Sequence, residues 1–114
     1  MLGLVLVKPA EIVADVGDNV TMYCNTTLVK ASVDWRRKLT SANRYEIFCY
    51  HGSIVKGRED KFSISSPQNG SYEIIVKNVQ PDDSGEYRCI EGIHDPSYGT
   101  IMLLVKGNNS TCML

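Results

Sequence analysis

A chain of 114 residues suits one domain with one core and leaves no room for a separate catalytic domain. Hydrophobic residues make up 43% and charged residues 22%, so the chain can bury a core and disorder is not its default. Twelve basic against thirteen acidic side chains give a formal net charge of -1, which excludes the basic surplus that would hold nucleic acid or an anionic membrane.

Strand-like segments recur at short intervals in the sequence, and no stretch sustains a helical period, so the chain reads as all-β. The apolar run at the front, residues 2–7, is broken by Lys8 and Pro9. It is too short to span a bilayer or to form a full signal-peptide core, so membrane attachment is expected only through segments absent from this chain. The first strand is residues 4–7; residues 11–16 continue as an edge piece, with Pro9, which lacks an amide donor, at an edge or a switch between sheets. After the Gly17-Asp18 turn, Val20, Met22 and Cys24 fall on one face and Thr21 and Tyr23 on the other, the alternation of a half-buried strand.

Residues 32–37 form the next strand, with Val33 and Trp35 opposite Asp34 and Arg36. A polar stretch, 38–43, leads into a strand over 45–50, and His51-Gly52-Ser53 ends it before Ile54-Val55. Residues 61–65 and 72–76 make a hairpin around Asn69-Gly70, the strongest turn signal in the chain. The last two strands are 86–91 and 100–106, joined by a loop rich in turn formers, and residues 107–114 read as a tail or the start of a stalk.

Four cysteines, Cys24, Cys49, Cys89 and Cys112, show neither zinc nor redox spacing, which favours a long-range disulfide. Acceptor sequons for N-glycosylation at Asn19, Asn25, Asn69, Asn108 and Asn109 point with it to an extracellular, oxidising setting. Catalysis is not expected: the sequence holds no nucleophile elbow, no H-E-x-x-H and no glycine-rich phosphate loop, and no cofactor or metal is implied. His51 and His94 read as solvated loop histidines, and the acidic pairs Asp82-Asp83 and Glu59-Asp60 as structural or surface groups. The basic cluster Arg36, Arg37, Lys38 and Arg44 reads first as solvated surface and second as a contact for an acidic ligand.

Three features coincide: Cys24, Trp35 eleven residues on, and Cys89 at the end of Asp83-Ser84-Gly85-Glu86-Tyr87-Arg88-Cys89. This constellation resembles the immunoglobulin superfamily, and the room between Trp35 and Cys89 for two extra strands resembles its variable or V-set form, over residues 4–106. The resemblance implies a two-sheet Greek-key β-sandwich over 1–106 and a Cys24–Cys89 disulfide packed on Trp35. It also implies a turn at Gly85, a tyrosine corner at Tyr87 and an ion pair from Lys61 to Asp83, with Arg58 as the alternate donor. Cys49 is then expected to be a buried thiol, not paired with Cys112, which is the candidate for an interchain bridge.

The run Tyr98-Gly99-Thr100-Ile101-Met102-Leu103-Leu104-Val105 is similar to the joining-segment strand of antigen-receptor variable domains, but lacks its second glycine. Arg36-Arg37-Lys38 replaces the Tyr-Gln-Gln used there for symmetric pairing. Matching Met102 and Leu104 to the inward residues of such a segment predicts that Ile101, Leu103 and Val105 point outward. With Ile90, Phe48 or Tyr50, and a rim of Arg36 and Arg88, they would form an apolar patch on the sheet conventionally lettered G, F, C and C′ (residues 100–106, 86–91, 32–37 and 45–50). The expected function is binding of a protein ligand or counter-receptor through this face, with a homodimer as the association expected there, or through the loops 25–31, 51–56 and 92–98, in the last of which Ile93, His94, Asp95 and Tyr98 offer mixed contacts. The alternative is a structural module that dimerises or spaces a larger receptor.

Overall fold

The computed structural model describes residues 5–26, 33–42, 44–68, 71–91 and 97–107. Among the described residues ten strands follow in chain order: β1 (Val5–Lys8), β2 (Glu11–Asp15), β3 (Val20–Thr26), β4 (Asp34–Leu39), β5 (Tyr45–Tyr50), β6 (Ser53–Ile54), β7 (Phe62–Gln68), β8 (Ser71–Val76), β9 (Gly85–Glu91) and β10 (Ser97–Lys106). They form two sheets, one of order β1-β3-β8-β7 and the other of order β2-β10-β9-β4-β5-β6. A short 3-10 turn, Pro81–Asp83, precedes β9, and among the described residues no helix is long and apolar enough to cross a membrane.

Each sheet buries one face, so period-two alternation decides which side chains make the core. Val20, Met22 and Cys24 of β3 are buried, as are Ile74 and Val76 of β8 facing the same interior. Across from them, Trp35, Tyr87 and Cys89 of the larger sheet are fully buried. The Cys24–Cys89 disulfide joins the sheets with the two Cα atoms 6.4 Å apart, and Trp35 is the register partner of Cys89 on β4. Closing a loop of 65 residues stabilises the fold by about 4 kcal/mol in the chain-entropy view.

The chain changes sheet at Pro9: β1 pairs antiparallel with β3, whereas β2 runs parallel to β10 on the edge of the other sheet. A residue without an amide donor suits that crossing. The length between Trp35 and Cys89 is used by β5 and the two-residue β6, the extra pair of strands that the spacing implied. β10 extends back to Ser97, three residues before the expected start at Thr100, because Ser97, Tyr98 and Gly99 continue the ladder against Glu91, Ile90 and Cys89.

Cys49 is free and fully buried, with Sγ 3.8 Å from the Val33 carbonyl. Burial, and after it the charge of Asp34, pushes its thiol up to about 11, far from the thiolate that reacts with electrophiles. Iodoacetamide at pH 8 is therefore expected to leave the Cys49 peptide unlabelled in the folded protein and to label it fully in denaturant. Equal labelling rates in the two states would show that this thiol is accessible. Cys112 lies outside the described residues.

Candidate recognition face

The larger sheet turns one face to the core and the other outward, and the register of its strands sets which side chains line the outer face. Three cross-strand rows can be traced. Thr100, Arg88, Arg36 and Ile47 lie side by side across β10, β9, β4 and β5. The next row towards the chain-exit end is Glu11, Met102, Glu86, Lys38 and Tyr45, and on the other side Ile90 pairs with Asp34. Val13 of β2 stands beside Leu104.

This register corrects the expected phase of the last strand. Ile101, Leu103 and Val105 are buried at 0%, 3% and 4% exposure, while Met102 and Leu104 are the exposed pair at 47% and 55%. The reason is the ladder: Gly99, Ile101 and Leu103 pair with Cys89, Tyr87 and Gly85, all buried in the sandwich, and directly paired residues share a face. A Cβ on Gly99 would stand 2.8 Å from both methyl carbons of Val7, so β1 packs over the position opposite the disulfide.

Phe48 is also a core residue and not a surface one. Between Trp35 and Arg36 the register with β5 slips, with Trp35 opposite Cys49 but Arg36 opposite Ile47. The extra residue in this bulge lets two consecutive side chains, Phe48 and Cys49, both face inward. Phe48 stacks on Phe62 at 4.0 Å and meets Tyr87 edge-on at 6.2 Å. Ile47 and Tyr50 are left outward, half exposed, and Tyr50 packs on His51 with ring centres 4.0 Å apart.

At the centre of the outer face two guanidinium groups, Arg36 and Arg88, are direct cross-strand neighbours. Tyr45 gathers the charge around one ring: Arg36, Lys38 and Arg88 sit 5.2, 5.6 and 5.7 Å from its centroid. Arg88 is paired with Glu86 at 2.9 Å. Arg36 lines a shallow hollow with Asp34, Ile47 and Ile90.

Beneath this face lies a buried polar network that holds the strands in place. Alternation from Trp35 turns Arg37 inward, and it donates to Asp83 at 2.9 Å, to the Tyr87 hydroxyl at 3.0 Å and to Glu46 at 2.9 Å. Lys61 pairs with the other oxygen of Asp83 at 2.6 Å, and the Gln80 amide donates to it at 2.7 Å. The Tyr87 hydroxyl donates to the Asp83 carbonyl at 2.6 Å, closing the corner. Arg58 is committed elsewhere, to Glu46 at 2.6 Å.

Burial alone would raise the Asp83 carboxyl, but hydrogen bonds from Lys61, Gln80 and Arg37 hold it below the ordinary range. Glu46 is lowered in the same way: burial opposes it, and the hydrogen bonds from Arg58 and Arg37 prevail. Burial pushes Tyr87 up to about 12, so its hydroxyl stays protonated to donate. The basic cluster read along the sequence is thus divided between two faces, with Arg37 in the core network and Arg36 and Lys38 outside.

Of the remaining residues singled out, Asn19 and Asn25 are exposed, Asn19 accepting from the Asn78 amide at 2.9 Å and Asn25 on the outer face of the smaller sheet. Asn69, Asn108 and Asn109 and the loop residues Ile93, His94 and Asp95 lie outside the described residues; Tyr98 is placed only as a member of β10. The residues missed by sequence reasoning are Ile47, Tyr45, Met102, Leu104 and Val13, all exposed on the outer face.

Comparison with known proteins bears on this arrangement. The description "Immunoglobulin V-set domain" matches residues 7–102. A mouse protein, "V-type immunoglobulin domain-containing suppressor of T-cell activation", is 34% identical over 56% of this chain and 26% of its own length. "Interference hedgehog" of Drosophila persimilis is 32% identical over 75% of this chain and 10% of its own length. The chain therefore spans about a quarter and a tenth of these relatives. With two sheets joined by Cys24–Cys89 against Trp35 and the match over residues 7–102, the chain belongs to the immunoglobulin V-set family.

Proposed function

We propose that the chain is an extracellular recognition module that binds a protein partner through the outer face of β10, β9, β4 and β5. The observation that carries this reading is the grouping of exposed Met102, Leu104, Tyr45, Ile47 and Tyr50 on one sheet face around Arg36 and Arg88. A solvated antiparallel face is normally polar, and an apolar surface mixed with arginine and tyrosine is the composition of interfaces. V-set domains act as binding modules rather than enzymes, and the words "suppressor of T-cell activation" in one relative's name support cell-surface immune recognition. A glycan on Asn25 would cover the opposite sheet and leave this face free.

Homodimerisation is the second reading, favoured by the ridge of Met102, Leu104 and Val13 at the β10–β2 side of the face. The loops around residues 25–31, 51–56 and 92–98, with Ile93, His94, Asp95 and Tyr98 in the last, are the other contact expected from the sequence.

The test is a double replacement, Met102→Lys with Leu104→Lys. Both side chains are exposed, so stability should change by no more than about 0.5 kcal/mol per site. Binding of the tetramerised domain to partner-bearing cells, or self-association in sedimentation, should be lost. A folded double variant that binds and sediments like the parent would show that recognition lies elsewhere.

A further inference from the structure

Resting on that reading of the face, we infer that the hollow beside Arg36 is a receptor for a carboxylate side chain of a partner protein of different sequence, with Arg36 as the principal contact and Arg88 beside it. Like charges placed directly opposite on neighbouring strands destabilise a sheet, yet Arg36 and Arg88 occupy such a pair in the middle of the larger sheet. Arg88 has Glu86 as its counterion. Arg36 has none: its Nε is buried without a hydrogen-bond partner, and among the described residues no ion pair reaches it. A desolvated guanidinium donor without an acceptor is costly, and a carboxylate is the acceptor whose two oxygens match its fork.

The neighbouring groups narrow the ligand. Ile47 and Ile90 flank the hollow with apolar surface, which suits the methylene stem of a glutamate or aspartate. Asp34 on its wall would repel a multiply charged phosphate or sulfate more than a single carboxylate, and the chain's formal net charge of -1 gives no long-range attraction for a polyanion. Asp34 accepts from the His51 amide at 2.8 Å and Glu86 pairs with Arg88, so both of these carboxylates are already engaged. A second copy would therefore bring two more guanidinium groups to the centre of the face, and Glu11, an exposed carboxylate that the described residues add to this face, stands out on the edge strand β2, so the partner is another chain.

The test uses the isotope-labelled whole chain and a defined probe, the blocked tripeptide acetyl-Leu-Glu-Leu-amide, with its glutamine counterpart and a heparin hexasaccharide as comparisons. The glutamate peptide is expected to move the Arg36 Nε–H resonance and the Ile47 and Ile90 methyls together, with one saturating curve in the millimolar range. The glutamine peptide should bind about tenfold more weakly, the difference of one charge-assisted hydrogen bond. Arg36→Gln should remove the response, while Lys8→Gln, which removes a cation over Tyr23 on the other sheet, should leave it intact.

Non-saturating shifts, equal affinity for the glutamine peptide, or tighter binding of the heparin fragment to the same resonances would each overturn the inference. The wider proposal fails separately: Arg36→Gln with cell binding unchanged, beside a Met102→Lys, Leu104→Lys variant that has lost it, removes the carboxylate site and keeps the face. The opposite pattern keeps the site and removes the face as the recognition surface.

Discussion

Truncating Arg37 to alanine is expected to destabilise the domain by about 3–5 kcal/mol at neutral pH, the cost of orphaning buried charge. Its side chain is 5% exposed and Asp83's is 8%, and the substitution removes a charged donor from Asp83, from Glu46 and from the Tyr87 hydroxyl. The pH dependence follows from the carboxyls. Asp83 and Glu46 are both held below their ordinary range in the folded state, so the stability they contribute is fully present above the ordinary carboxylate range and is lost as pH falls through their folded values. The gap between parent and variant should therefore be widest near pH 7 and narrow towards pH 3. Urea unfolding at both values measures it. A gap that stays constant with pH would mean that the loss is one of packing, since Arg37 also lies over the rings of Phe62 and Tyr87 at 5.0 and 5.8 Å.

Gly85→Ala is expected to cost about 3 kcal/mol or more, combining backbone strain with a clash that only the main chain could relieve. Gly85 has φ +154, where side chains are rarely tolerated, and a Cβ there would run into the Lys38 carbonyl and the Leu39 Cα of β4. These are backbone atoms of a paired strand and cannot swing aside. Gly57 gives the comparison: its φ is +93, but nothing lies within 4 Å of the added carbon. Gly57→Ala should show conformational strain alone, about 1 kcal/mol. Thermal unfolding separates the two, with a fall in Tm of about 10 °C or more expected for the first and a few degrees for the second. Equal losses would show that the approach of β4 to Gly85 is not what requires glycine.

How far the site could be read in advance depended on how local its cause was. Arg37 was within reach: Trp35 is inward, a strand alternates, and a residue two positions on must share its face, so a charge there had to find buried partners. Asp83 lay in a motif recognisable by its own residues, and Lys61 meets it at 2.6 Å as that resemblance implied. The outward face was misread at two points. The likeness of residues 98–105 to a joining segment set β10 one residue out of phase, and a one-residue slip exchanges every side chain between core and solvent. The bulge opposite Trp35 likewise hid Phe48 and exposed Ile47.

By itself the sequence determined the properties that rest on short-range chemistry or on residue identity: strand alternation, the turn at Gly85, the cysteine pair beside Trp35 and the tyrosine at the corner. Those reach the fold through period two and through a motif whose members lie within seven residues of one another or share one disulfide. Only the tertiary structure decided which face of β10 meets the core, where β5 bulges, and that Arg36 stands beside Arg88 while Arg37 lies beneath. Each of these depends on the register between strands far apart in the chain. Register is set by the simultaneous packing of both sheets around the disulfide, Phe48 and Tyr87, and no single segment contains that information.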